Sequence, residues 1–343
     1  MKITLKTKLI AVIILVLVSG TLIFNQRAEQ YTQTLYDALD TVTSITVISK
    51  TNSQKYAKEC TQIIYNYDEL FSISKPQSDF YKINNAKTPV TVSPVTIDII
   101  SACGDFYSLS EKSFDITGGA LYRIWSDAIK TKQLPDTDEI KTAMTHSGFS
   151  ELLIDKNNLT ITKKTPEQQL NAGAVAKGYI TDKIKEYLKT TTASGAIIDL
   201  GGNILAYGKK NGKTPWSIGI STPENDGEIL LSLSLSDKFV ITSGDYQRYF
   251  DYNGIRYHHI IDARIGYPSK SGLKSVTIIS DNGFMGDALS TVCFLAGLDK
   301  GIEIVKSYGV SAVFVTDDNK VFYSAELSPI AENKNPSYSF SQF

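Results

Sequence analysis

Asp287 and Thr291 stand four residues apart in Gly286-Asp287-Ala288-Leu289-Ser290-Thr291, a segment with helical character. Residues i and i+4 share a helix face, so this carboxylate and hydroxyl can address one point. Both are hard oxygen donors of the kind Mg²⁺ takes, with water and substrate phosphate completing its shell. The plainer reading is a helix cap or dipole partner beside an incidental threonine. Gly173-Ala174-Val175-Ala176-Lys177-Gly178-Tyr179 leads into another predicted helix, whose free N–H groups and positive end attract phosphate. Lys177 adds a point charge. It would otherwise be a solvated lysine, but a cation at that helix end is unfavourable unless an anion is near. Ser243-Gly244-Asp245-Tyr246-Gln247-Arg248-Tyr249 and His258-His259-Ile260-Ile261-Asp262 supply proton-transfer groups. A histidine suits that work because its ordinary pKa is about 6.5; the plainer alternative is a structural histidine in a strand. Asp182 and Asp245 read as caps or supporting groups, and Arg248 as a phosphate partner or a surface charge. Phe114-Asp115-Ile116-Thr117-Gly118-Gly119 is a turn rich in backbone N–H groups, and Asp199-Leu200-Gly201-Gly202-Asn203 permits a tight reversal.

The elements that must position these groups follow from periodicity and punctuation. Val42 to Ile48 alternates as a strand. Ser53 starts a helix through Leu70, with Tyr56, Cys60, Ile63, Ile64 and Tyr67 at helical spacing. Helices are predicted from Asp79 to Asn84, Ser93 to Ser110, after Pro135, Val175 to Lys189, Gly286 to Ala296 and Leu298 to Tyr308. Leu152 to Ile154 and Leu159 to Ile161 read as a hairpin. Further strands are expected at Ala196–Asp199, Ile204–Gly208, Trp216–Ile220, Ile229–Leu235, Phe239–Thr242, Tyr246–Tyr252, Val276–Ile279, Ala312–Thr316 and Val321–Ser324. Helices and mostly antiparallel strands without strict βαβ alternation make this an α+β fold, with mixed, mostly antiparallel sheets and packed helices.

The 343 residues are 42% hydrophobic and 21% charged, with a net charge of −1. The lysines are dispersed among acids, which gives no electrostatic footprint for a nucleic acid. Cys60, Cys103 and Cys293 lie in apolar settings, and an odd, sparse set argues against a disulfide framework. Lys2, Lys6 and Lys8 precede an uncharged, mostly apolar run from Leu9 to Phe24. Such a run, followed by no evident small-x-small cleavage site, predicts an N-terminal hydrophobic helix that stays as a membrane anchor. The organisation expected is an anchor and polar connector over residues 1–30, the connector running from about Asn25 to Thr34, and one catalytic domain over 31–343 outside the cytoplasm.

Taken together, Ala176-Lys177-Gly178-Tyr179, Leu200-Gly201-Gly202-Asn203, Ser243-Gly244-Asp245-Tyr246, His259-Ile260-Ile261-Asp262 and Asp287-Ala288-Leu289-Ser290-Thr291 resemble the FAD:protein FMN transferases, the ApbE-type flavin transferases. The resemblance runs from about Leu39 to Gly297. It implies Mg²⁺-dependent cleavage of FAD, with FMN passed through its phosphate to a threonine hydroxyl of a partner protein and AMP released. The partner would carry an Asp-x-x-Ser/Thr-Gly-Ala-Ser/Thr segment. By the same resemblance Ala174, Asp287 and Thr291 hold Mg²⁺, the Ser290 carbonyl standing close by, and His259 rather than its neighbour His258 is the base. Leu39, Ser72, Ser74, Thr117, Gly118, Gly119, Lys177 and Ile260 would bind FAD. Such a reaction needs charge neutralised on the phosphate oxygens, which Mg²⁺ and Lys177 can do.

The chain departs from the pattern at Leu39-Asp40-Thr41, where many relatives have Met-Gly-Thr. It also departs in Phe71-Ser72-Ile73-Ser74, which lacks a ring near its end, and at Ala120, where proline is frequent. Stacking on the flavin is then weaker, or comes from one of the 19 tyrosines. Ser194-Gly195-Ala196 is similar to an acceptor segment, but Ile197 stands where the hydroxyl belongs, so self-modification is not expected. Two other functions compete: an FAD pyrophosphatase with the same residues, in which water replaces the threonine, and a flavin-binding surface protein without turnover, for which His259 and Asp287 are dispensable.

Overall fold

The computed structural model describes residues 28–224 and 227–343. The expected hydrophobic N-terminal helix lies outside them; among the described residues no helix is long and apolar enough to cross a membrane. The first described element is a hairpin, β1 (Glu29–Ala38) and β2 (Thr41–Ser49). It turns on Leu39 and Asp40, with φ of 58° and 50°. Positive φ at both positions is the requirement of a type I′ turn, whose twist matches that of the strands. Asp40 therefore occupies left-handed backbone where the family pattern expects glycine, a conformation aspartate tolerates better than most residues. The expected polar connector is thus a strand from Glu29 onward. Its sequence is too polar to signal one because most of its side chains are exposed.

Next come α1 (Ser53–Phe71), α2 (Asp79–Asn85), β3 (Val90–Thr91), α3 (Pro94–Leu109), α4 (Gly119–Thr131), α5 (Thr137–Thr145), β4 (Leu153–Asp155) and β5 (Thr160–Thr162). α1 buries Ala57, Cys60, Thr61 and Ile64 at helical spacing. α3 starts where Ser93 accepts the Thr96 N–H and Pro94 takes the first turn, a pairing that satisfies one orphan donor and wastes none. The expected turn at residues 117–119 continues directly into α4, whose Leu121, Ile124, Trp125 and Ala128 are buried.

The second half contains α6 (Ala176–Lys189), β6 (Ala193–Leu200), β7 (Asn203–Gly208), β8 (Trp216–Ser221), β9 (Ile229–Leu235), β10 (Lys238–Gly244), β11 (Tyr249–Tyr252) and β12 (Ile255–His258). It continues through β13 (Ile261–Asp262), β14 (Tyr267–Pro268), β15 (Leu273–Ser280), α7 (Gly283–Ala296), α8 (Leu298–Tyr308), β16 (Ser311–Thr316), β17 (Lys320–Tyr323), β18 (Ala331–Asn333) and β19 (Ser339–Gln342). The single strand expected at Tyr246–Tyr252 is instead a loop after β10 followed by the first arm of the β11–β12 hairpin, β11. α7 begins at Gly283, three residues before the expected start, with the Asn282 side chain accepting the Met285 N–H. Asp287 therefore lies inside the helix rather than capping it.

Nine strands form one sheet in the order β1-β2-β6-β7-β10-β15-β16-β17-β19. Every neighbouring pair is antiparallel except β17–β19. This bears out the α+β class. One face carries Ile45, Val47, Ile198, Leu205, Phe239, Ile241, Val276, Ile278 and Phe314 against the helices. The other packs Ile48, Val240, Ile279, Val313 and Val315 against the smaller β18-β9-β8 sheet. Strands buried on both faces read as near-continuous apolar runs, as Ala312 to Val315 of β16 do. α7 is buried almost all round, the expectation for a helix apolar on every side. A satellite core around Trp125 and Phe250 holds the β11–β12 hairpin to α4.

Candidate active site

The site is built where α6 meets α7. The Gly178 N–H donates to Asp287 Oδ2 at 2.8 Å. A Cβ on Gly178 would lie 2.2 Å from the Gly283 carbonyl oxygen and 2.6 Å from Asp287 Cβ, so only glycine allows this approach. Asp182 fixes the same junction from α6, its two carboxylate oxygens accepting the Gly283 and Phe284 N–H groups at 2.8 Å each. Asp182 is therefore a cap. Asp287 is buried, and burial pushes its pKa up. The Lys177 ammonium, the Gly178 N–H and the Asn203 amide all work in the opposite direction.

Thr291 is one turn further along α7, its hydroxyl 3.3 Å from Ser243 Oγ on β10. Ser243 in turn lies 2.8 Å from Ser290 Oγ, which donates to the Asp287 carbonyl oxygen at 2.8 Å. Ala174 sits just ahead of α6. The N–H groups expected to be free there are mostly taken by the chain itself. Gly173 donates to Asn171 Oδ1 at 2.7 Å, and Val175 and Ala176 both donate to the Ala172 carbonyl oxygen at 2.9 Å. The anion-attracting group left on this turn is Lys177. Its ammonium makes one long contact, 3.4 Å to the Gly173 carbonyl oxygen, and its field reaches both Asp287 and His259.

His259 follows the β11–β12 hairpin, its N–H donating to the Arg248 carbonyl oxygen at 3.1 Å, so the two ends of the hairpin are tied together. Its ring Nδ1 is sealed from solvent without a partner. Burial pushes the ring pKa down to about 3, assisted by the positive charges of His258, Arg248 and Lys177. The imidazole is therefore neutral. His258 is different. Its Nδ1 accepts the Ile260 N–H at 3.2 Å, so Nε2 carries the hydrogen and donates to the Ser269 carbonyl oxygen at 3.0 Å. With both nitrogens used and Phe294 edge-on at 5.6 Å, His258 is structural. Arg248 reaches across to the Asp40 carbonyl oxygen at 3.0 Å.

The expected flavin-binding residues fall into two groups. Asp68, which the sequence does not single out, ties the first together. Its Oδ1 accepts the Leu39 N–H at 3.2 Å and its Oδ2 pairs with Lys75 at 2.8 Å. Ser72 Oγ accepts from the Ser74 and Lys75 N–H groups at 3.2 Å, so Leu39, Ser72 and Ser74 belong to one surface. The second group corrects an expectation. The Thr117–Gly119 turn does not present free N–H groups, because Thr117 donates to Asp115 Oδ1, Gly118 to the Asp115 carbonyl and Gly119 to the Gln169 carbonyl. The Thr117 hydroxyl also donates to Asp115 and accepts the Gly148 N–H at 2.8 Å. Ile260 is buried in the main core. A groove of about 720 Å³ lined by Ser217, Glu228, Ile229 and Lys334 lies on β9 and its neighbours, away from these groups.

One buried carboxylate, one hydroxyl and nearby carbonyls form a hard, oxygen-only donor set. Among the described residues there is no group of three or more His, Cys, Asp or Glu that could hold a metal by itself. This donor set fits Mg²⁺, which keeps several positions for water and substrate phosphate and binds through one or two carboxylates. It offers none of the thiolate or imidazole ligands that softer metals such as Zn²⁺ or Cu²⁺ take.

Residues 39–314 match the model of the ApbE family. Two proteins named FAD:protein FMN transferase are similar to the chain. The one from Klebsiella pneumoniae is 31% identical, covering 80% of this chain and 86% of its own length. The one from Treponema pallidum is 30% identical, covering 79% of each. The crystal structure of an ApbE protein from Thermotoga maritima superposes with a TM-score of 0.80 at 32% identity, covering 88% of this chain and 99% of that one. A flavin transferase from Vibrio cholerae, at 22% identity and a TM-score of 0.77, shares the fold. With the family match spanning both the α6–α7 junction and the histidine that faces it, the chain belongs to the ApbE family and is a transferase.

Proposed function

We propose that this protein cleaves the pyrophosphate of FAD, passes FMN to a threonine hydroxyl of a partner protein and releases AMP. The observation that carries the reading is the placement of Lys177, whose charge acts on both His259 and Asp287 while it forms no ion pair among the described residues. A cation without an ion pair, whose field reaches a neutral base and a buried carboxylate, suits a polyanionic substrate. The names of the similar proteins support the same chemistry.

In this mechanism the acceptor oxygen forms a new bond to the FMN phosphorus while the bond to the AMP oxygen breaks. His259 takes the hydroxyl proton, its ring being neutral and unpartnered at Nδ1; the negative charge of the bound phosphates would offset the burial that holds its pKa down. Lys177 and Arg248 neutralise the phosphate oxygens, stabilisation that acts most strongly in a site shielded from water. Asp287, Thr291 and the Ala174 carbonyl would hold Mg²⁺, which when bound offsets charge on the same oxygens. Leu39, Ser72 and Ser74 would meet one end of FAD, and the backbone near Gly118, Gly119 and Ile260 would border the flavin. Thr117 would support that border from behind, its own polar atoms being committed. Residues 1–30 would anchor the protein in a membrane with residues 31–343 outside the cytoplasm, beside an acceptor carrying an Asp-x-x-Ser/Thr-Gly-Ala-Ser/Thr segment.

The test is to incubate the protein with FAD, Mg²⁺ and an acceptor bearing that segment, and to measure the FMN mass on the acceptor and AMP in solution. An adduct that disappears in His259→Ala and Asp287→Ala is expected. AMP with free FMN and no adduct would mean that water is the acceptor; bound FAD with neither product would overturn the mechanism.

A further inference from the structure

The turn after β6 hides a side chain that the reading above leaves without a task. Gly201 and Gly202, with φ of 63° and 90°, reverse the chain so that Asn203 opens β7 opposite Ile241 of β10. Its carboxamide is 1% exposed. Asn203 Oδ1 lies 3.1 Å from the Thr181 hydroxyl of α6, whose single hydrogen also has the Lys177 and Gly178 carbonyl oxygens at 3.0 and 2.9 Å. Asn203 Nδ2, sealed from solvent, has no acceptor at hydrogen-bonding geometry. Such a donor is rarely left idle in an interior. The Asp287 carboxylate lies close enough for the amide to favour its charged form.

The orientation of the amide follows from electrostatics. Turned over, it would set Oδ1 against a carboxylate. As it stands, Oδ1 is set toward Thr181, which leaves Nδ2 as the group available to Asp287. The Gly178 N–H already holds Asp287 Oδ2 at 2.8 Å from α6. A second donor from β7 would remove the remaining freedom of the carboxylate and aim its unused lone pairs toward Thr291 and Ala174.

We propose that Asn203 is a positioning residue for the cation site, its Nδ2 gripping the Asp287 carboxylate while Thr181 locks the amide. This rests on the proposed role of Asp287 and deepens it. Groups that orient a ligand in this way change metal affinity by roughly 10- to 100-fold when lost.

The experiment titrates Mn²⁺ alone, without FAD, into the full chain and follows free Mn²⁺ by electron paramagnetic resonance, with melting temperature recorded on each sample. Asn203→Leu keeps the volume and removes the donor; it is expected to weaken Mn²⁺ binding by about tenfold. Thr181→Val, which unlocks the amide, is expected to weaken it by about threefold, and Asp287→Ala to abolish it. If Asn203→Leu binds Mn²⁺ within twofold of the unaltered protein while Asp287→Ala does not bind, the inference is wrong and the role of Asp287 stands. If Asp287→Ala binds normally, the reading of the site fails and the inference with it. Should Asn203→Leu not fold, Thr181→Val decides, unchanged affinity overturning the proposal.

Discussion

Gly178 and Asp287 meet across two helices, an N–H of α6 donating to a carboxylate of α7 at 2.8 Å where no side chain could fit between them. Packing and chemistry are therefore one contact. Gly178→Ala must push the Gly283 carbonyl and the Asp287 side chain apart. It is expected to cost about 1–3 kcal/mol, as overpacking of a filled interior does, and to lose activity beyond what the lower stability explains. Chemical denaturation and AMP release measured on the same samples check this.

Asp287 carries a burial penalty that the proposed role would explain. Its pKa is pushed up by desolvation, so burial disfavours the charged form. Asp287→Asn keeps the shape and removes the charge. We expect a melting temperature equal to or above that of the unaltered chain, with turnover reduced by at least about 100-fold. A variant that loses both together would show that the carboxylate is there for the fold.

Lys177 and His259 are coupled through space, the ammonium being one of the charges that hold the ring pKa low. Lys177→Met is expected to raise the His259 pKa and to lower kcat/KM by roughly 100-fold through lost phosphate stabilisation. With three histidines in the chain, an NMR titration resolves the ring directly. A His259 pKa that does not move would separate the two residues.

His258 makes the fold sensitive to acid. Its buried ring has a pKa lowered from 6.5 to about 4. The unfolded chain therefore takes up a proton below about pH 6.5 that the folded site refuses until about pH 4. Stability from this group is present above 6.5 and lost as pH falls through that window, by on the order of 3 kcal/mol. Asp245, raised to about 6 by burial, acts in the opposite direction. The informative quantity is therefore the difference in unfolding free energy between the unaltered chain and His258→Gln, which should shrink between pH 6.5 and 4.

The residues that carry chemistry were readable because their types are unusual for their places. A lysine on the first turn of a helix and an Asp–Thr pair at helical spacing both stand out in the sequence. What surrounds them was less readable. β1 is polar because its side chains are mostly exposed, and polarity signals a connector as readily as an edge strand. α4 was masked by the two glycines at its start. Asp68 joins the Leu39 turn to the Ser72 turn through side-chain contacts 29 and 7 residues away, which no local pattern encodes. Asn203 reads as part of a tight turn, and its burial against Asp287 depends on how β7 meets α6. The N–H groups of residues 117–119 looked available because a sequence does not display the acceptors, Asp115 and Gln169, that use them.

β1 leads from Glu29 to the Leu39–Asp40 turn, a length of about 33 Å for ten residues in extended backbone. Arg248 grasps the far end at Asp40, and the Arg248 carbonyl holds His259. The strand thus acts as a lever arm from the start of the described chain to His259, the proposed base. Whatever restrains residue 29 also sets the height and heading of the active site, at a distance fixed by eight registered pairs with β2.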